Sequence, residues 1–326
     1  MKRSAALLLL VLGCGSSPLD DAFSAAGEVP DVRSLRIERH GAVVREQYWG
    51  GGDAATAHDV RSVTKSVVSL LVGIAVREGC LSLDSTLGQG LGPEAPADPA
   101  KAAITVRDLL TMSAGLQWDE LGNVDEYNGW VLSPDPVQYV LARPLVDAPG
   151  SFFSYSSAGF HLLSVMITNQ CGRTEDFAQT RLFDPLGIAR PAWETFDDPP
   201  DVNGGAGIQL STRDLAALGE LVLHGGVADG VQIVPAEWIG AATRAQIANG
   251  EATDFGGGYG YGFWIGLRNG QSFVLAQGYG GQFVFVDRDK DLVVAATSDW
   301  QGHAATADQT FNELYRVIAQ RILPLD

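Results

Sequence analysis

The chain has 326 residues, 46% hydrophobic and 19% charged, which fits a globular protein with a substantial core and excludes a disordered or fibrous one. A net charge of −17 repels phosphate backbones and argues against a nucleic-acid partner. Phosphate-cradling glycine motifs and closely spaced metal-ligand clusters are missing, and the five scattered histidines read as surface or packed residues.

At the amino terminus, Lys2 and Arg3 precede the apolar run Ala5 to Leu12, which is too short to span a bilayer but suits a secretory signal. Val11-Leu12-Gly13-Cys14 resembles a bacterial lipobox; a simple signal peptide is the alternative. On the first reading residues 1–13 are removed, Cys14 carries the lipid anchor, and residues 14–29 form a tether. Gly15 after the cysteine resembles the outer-membrane-sorted kind, facing the periplasm. Losing Lys2 and Arg3 takes the net charge from −17 to −19.

Residues 32–49 alternate sides around Gly41 and predict a hairpin. The stretch Arg61 to Gly79 follows, apolar on nearly every face from Val67 to Val76, so it predicts a helix in the middle of the folded body that stops at Gly79. Its first turn carries Ser62 and Lys65, three apart and hence on one face. Burial pushes an ammonium toward its neutral amine, and a neutral amine beside a hydroxyl is a base beside a nucleophile. The helix start also leaves unpaired N–H groups aimed at whatever Ser62 attacks. Ser-x-x-Lys is a weak signal by spacing alone; its place at the start of a buried helix gives it weight.

From Leu81 to about Pro200 strand signals almost vanish, and short helical patterns such as Thr105 to Met112 and Pro136 to Ala142 take over. Tyr155 stands directly before a second apolar helix, Ala158 to Cys171, where a phenol beside a lysine is either a proton carrier or an ordinary core tyrosine. Trp118, Tyr127, Trp130 and Trp264 line an apolar cleft or simply pack. Cys80 and Cys171, both near helix ends, either pair or remain buried thiols.

Helices are then predicted at Thr212 to Leu223 and Pro235 to Ala242, strands at Tyr261 to Leu267, Ser272 to Ala276 and Gln282 to Thr297 broken at Asp287 to Asp291, and a last helix at Ala305 to Ile322. Ala276-Gln277-Gly278-Tyr279-Gly280-Gly281-Gln282-Phe283 joins two of the strands and is either a ligand-facing edge or a tight hairpin. Strands at both ends with helices between imply an α/β domain, 30–80 and 201–326, holding an inserted helical domain, 81–200.

The order of these stretches resembles the serine β-lactamase and penicillin-recognising superfamily, in its class C-like branch. The likeness rests on Ser62-Val63-Thr64-Lys65-Ser66, Leu109 to Leu116, Pro149-Gly150 ahead of Tyr155, Gly207 to Asp214, and Tyr259 to Trp264. It is closest to the esterase and 6-aminohexanoate-dimer hydrolase members. The resemblance implies a β-lactamase/transpeptidase-like fold, with an antiparallel sheet from the two ends of the chain flanked by helices. It implies Ser62 as acylated nucleophile, Lys65 as base or proton relay, and Tyr155 as general acid/base. Backbone N–H groups of Ser62 and Tyr279 would form the oxyanion hole, with Ser157, Gly278 and Gly280 toward substrate and no metal or organic cofactor. Ala276 stands where β-lactamases and peptidases carry Lys or His, and Ser157 where many relatives have Asn, which lowers the odds of β-lactam or D-Ala-D-Ala chemistry. A small ester or amide is therefore the expected substrate. A β-lactamase or DD-peptidase-like enzyme, with Arg or water replacing the cation, and a non-catalytic binding module are the alternatives.

Overall fold

Alternation between two apolar faces builds the sheet, and all-round apolar helices fill the space beside it. The structure is a computed structural model and describes residues 17–196, 201–250, 256–268 and 270–325. Strands β1 (Val32–Arg39) and β2 (Ala42–Tyr48) form the expected hairpin, closed by His40 and Gly41 with φ of 52° and 68°, the two-residue turn that matches strand twist. Strands β3 (Trp264–Arg268), β4 (Gln271–Gly278), β5 (Gln282–Asp287) and β6 (Leu292–Ser298) complete an antiparallel sheet in the order β2-β1-β6-β5-β4-β3. The early hairpin thus pairs with the last strand, Leu35 opposite Ala296 and Ile37 opposite Val294.

Both sheet faces are covered, so β5 is buried at every position. On one face Phe283 meets Phe311 and Tyr315 of the last helix, Ala304–Val317. On the other, Val284 and Val286 meet Val63, Val67 and Leu70 of α2 (Val63–Glu78) and Leu218 and Val222 of the helix Thr212–Leu223. Helix α2 also packs on α3 (Ser157–Cys171), so it lies between the sheet and the helical region, which explains its apolar perimeter. Between Leu81 and Arg190 the described chain contains helices, turns and isolated bridges but no named strand.

Two expectations need correction. Residues 18–29 are not a tether: Pro18–Gly27 form helix α1, closed by a reciprocal Ser17–Asp20 cap, with Ala22, Phe23 and Ala26 buried and Phe23 stacked on Trp49. Serine, proline and paired acids are as typical of a helix start as of a linker, and the three apolar residues decide in favour of the helix. The leader and Cys14 lie outside the described residues. Strand β3 begins at Trp264, three residues later than expected, because Gly262 has φ of 74° and lies against the Lys65 carbonyl and Ser69. The Ser66 hydroxyl donates to the Gly262 carbonyl at 2.6 Å, which pins this turn to α2.

Candidate active site

Helix α2 starts from a tight turn. Asp59 accepts the Arg61 N–H at 2.8 Å, and Arg61 itself adopts φ of 49°, uncommon for a residue with a side chain. Ser62 occupies the cap position in helical conformation and makes no side-chain cap bond, so its hydroxyl is not used to close the helix. One turn on, Lys65 is 1% exposed. Its Nζ lies 2.8 Å from each of Ser62 Oγ, Ser157 Oγ and the Gly205 carbonyl. Burial pushes the Lys65 amine down to about 7, with Glu120 opposing and Arg61 adding to the shift.

That shift has a consequence for stability. The folded value lies below the ordinary 10.5, so between about 7 and 10.5 the unfolded chain holds more protons and the native state gains stability as pH rises. Lys65→Met cannot titrate. It is expected to gain on the wild type by a few kcal/mol as pH falls from about 10 to about 7, and by no more below that. Denaturant titrations across this range measure the difference, and a flat one contradicts a buried amine.

Tyr155 reaches the same spot from the start of α3. Its ring stacks on Trp264 with centroids 5.8 Å apart, and Lys65 Nζ lies 4.8 Å from its centroid. Burial and then the Glu120 charge hold the phenol well above its ordinary range, with the nearby Ser62 side chain opposing them. Tyr155 therefore rests as a neutral phenol, fit to pass or donate a proton.

The two residues that the sequence reading missed are Glu120 and Gly205. Glu120 accepts from the Ser157 hydroxyl at 2.6 Å, from the Ser157 N–H at 2.7 Å and from Trp118 Nε1 at 2.7 Å. Ser157 was expected on the substrate side; it is instead 1% exposed and bonded between Lys65 and Glu120. Its short side chain suits an internal link better than an arm into a cleft. Asn203 fixes the Gly205 loop, its Oδ1 accepting the Gly205 N–H at 2.9 Å. The only signal for Glu120 was its nearness to the Leu109 to Leu116 stretch; an acid in a loop, here directly after Asp119, otherwise reads as surface.

The glycine-rich turn lies close by. A Cβ at Gly278 would fall 2.3 Å from the Val60 carbonyl and 3.1 Å from Arg61 Cβ, so only glycine lets the end of β4 run against the turn that leads into Ser62. Tyr279 follows, 39% exposed, and Gly280, φ of 78°, packs on Trp300. Ala276 is buried among Val63, Phe263 and Val284 and offers no charge. Arg61, the cation beside Ser62, bonds Asp59 and the Tyr127 hydroxyl and stacks on Trp300 at 4.2 Å. Trp118 and Trp130 pack edge to face in the core, whereas Trp264 backs Tyr155.

A serine and a lysine one turn apart on a buried helix, met by a tyrosine from the helical region, place the chain among serine hydrolase-type proteins with a β-lactamase/transpeptidase-like fold. It belongs to the beta-lactamase family, whose model matches residues 21–315. Over 282 residues it is 25% identical to the 6-aminohexanoate-dimer hydrolase of Paenarthrobacter ureafaciens, covering 81% of this chain and 71% of that one. Over 187 residues it is 27% identical to the lovastatin esterase of Penicillium rubens, covering 51% and 46%. The structure of a penicillin-binding protein homologue from Pyrococcus abyssi superposes with a TM-score of 0.71 at 23% identity, covering 94% of this chain and 75% of that one.

Proposed function

We propose that the protein is a serine hydrolase that cleaves a small ester or amide through an acyl-enzyme on Ser62, with no metal or organic cofactor. One observation carries the reading: a buried amine, Lys65 Nζ, 2.8 Å from a hydroxyl that has no capping role. Lys65 takes the Ser62 proton as Oγ attacks the carbonyl carbon. The oxyanion that forms faces the Ser62 and Tyr279 N–H groups, two donors worth a few kcal/mol together. As the bond to the leaving group breaks, the Tyr155 phenol protonates that group and is reprotonated by Lys65; water then attacks the acyl-enzyme, its proton passing through Tyr155 to Lys65, and Lys65 returns the proton to Ser62 Oγ as the acyl–oxygen bond breaks. The buried, uncharged Ala276 and the already engaged Arg61 favour a substrate without a carboxylate to grip, and the esterase and dimer-hydrolase relatives support cleavage of an ester or amide. The leader pattern and the Cys80–Cys171 disulfide support an oxidising envelope location, with Cys14 as the lipid anchor.

Intact-protein mass spectrometry after treatment with a fluorophosphonate probe tests the proposal. A single adduct on the Ser62 peptide, absent from Ser62→Ala, is expected, together with faster turnover of short-chain p-nitrophenyl esters than of nitrocefin. No adduct on the folded protein overturns the enzyme reading; preferential nitrocefin turnover overturns the substrate class.

A further inference from the structure

The three partners of Lys65 fix more than its place. A neutral amine has two N–H donors and one lone pair, and only the direction of the lone pair makes it a base toward Ser62. The Gly205 carbonyl, 2.8 Å from Nζ, can only accept, so it takes one N–H. Ser157 Oγ, also at 2.8 Å, could either donate to the amine or accept from it. Its single proton is committed elsewhere, because Glu120 Oε1 lies 2.6 Å away and an ionised carboxylate has no proton to give. Ser157 must then accept the second N–H of Lys65, and the remaining direction, 2.8 Å to Ser62 Oγ, is left to the lone pair.

We infer that Glu120 is a positioning residue for this reaction: acting through the Ser157 hydroxyl, it turns the Lys65 lone pair onto the Ser62 proton. The carboxylate is itself held in place by the Ser157 N–H and Trp118 Nε1, both at 2.7 Å on Oε2, and it sits at the amino end of the fifteen-residue α3, where a negative charge is favoured. With an amide in its place, an N–H can be offered to Ser157 Oγ. The hydroxyl is then free to donate to Lys65 and occupy the lone pair, leaving Ser62 without a base. The charge has a second effect. The groups facing the amine are Glu120 from the helical region, Arg61 from the turn before α2, and the neutral Tyr155 before α3; Glu120 is the one that favours the protonated amine.

The inference rests on the reading of Ser62 as nucleophile, and its test separates the two. Rates of fluorophosphonate labelling are measured against pH for wild type, Glu120→Gln, Glu120→Asp, Ser157→Ala and the Glu120→Gln/Ser157→Ala double variant. Labelling by the wild type that is lost in Ser62→Ala secures the underlying reading. Glu120→Gln is then expected to lower the high-pH plateau by on the order of 10², the lower end of what general-base catalysis supplies. It is also expected to move the acid limb to lower pH, since loss of the carboxylate removes what favours the protonated amine. Glu120→Asp, which keeps the charge, should hold the limb near its wild-type position. Once Ser157 is Ala, adding Glu120→Gln should change the plateau less than about threefold, because the link is already cut. Wild-type behaviour of Glu120→Gln, or an equal loss in both backgrounds with an unmoved limb, overturns the inference.

Discussion

Lys65→Ala is expected to slow acylation of Ser62 by on the order of 10²–10⁴, the range that general acid–base catalysis supplies. The amine is 1% exposed, and burial brings it down to about 7, so near neutrality about half of the molecules carry the neutral base. The active form is the deprotonated one, and the acylation rate of the wild type should therefore rise with pH through about 7 and level off above it. In Lys65→Ala that limb should vanish along with most of the rate. What persists comes from the backbone donors near Ser62 and from Tyr155, which stays neutral and cannot replace the base. Burst kinetics with a p-nitrophenyl ester measure both quantities. A variant that keeps the limb near pH 7 would show that another group titrates there, and Lys65 would lose the role assigned to it.

Breaking the Cys80–Cys171 bridge should be the largest single blow to stability and a small one to chemistry. The two cysteines lie 91 residues apart with Cα atoms at 5.5 Å, and they tie the end of α2 to the end of α3. Closing so long a loop restricts the unfolded chain strongly, and removal of a native bridge typically costs about 2–5 kcal/mol. Reduction, or the Cys80→Ser/Cys171→Ser pair, should accordingly lower the melting temperature by several degrees. The side chains proposed to be catalytic sit at the opposite ends of the same helices. At 1.5 Å per residue the sixteen residues of α2 put the bridge roughly 24 Å from Ser62. Fluorophosphonate labelling well below the transition should then match the wild type. Equal stability with and without the bridge contradicts the first statement; a large loss of labelling in a folded protein contradicts the second.

The sequence made some elements plain and hid others for physical reasons. Helix α2 was legible because an apolar perimeter has few other uses, and its end at Gly79, φ of 79°, follows from glycine's freedom at positive φ. The hairpin and the strand pair around Asp287 to Asp291 were legible from alternation and turn residues. The helix at Pro18–Gly27 was not, since its polar start has the composition of a linker and its three buried residues gain meaning only against Trp49, the first strand and the end of the chain. The disulfide remained open because spacing along a chain says nothing about distance across a fold; the packing of α2 on α3 brings the two ends together.

For the site, local sequence determined that Ser62 and Lys65 share a face at the start of a buried helix, because a three-residue step on an α-helix allows little else. Tertiary structure decided what that pair can do. It brought the Tyr155 ring against the Lys65 amine, set the Gly205 carbonyl and Ser157 around that amine, and placed Glu120 behind Ser157 from 37 residues away. Helical periodicity acts over one turn and is written into neighbouring residues, whereas desolvation of an amine and the direction of its hydrogen bonds depend on groups that only the folded chain assembles.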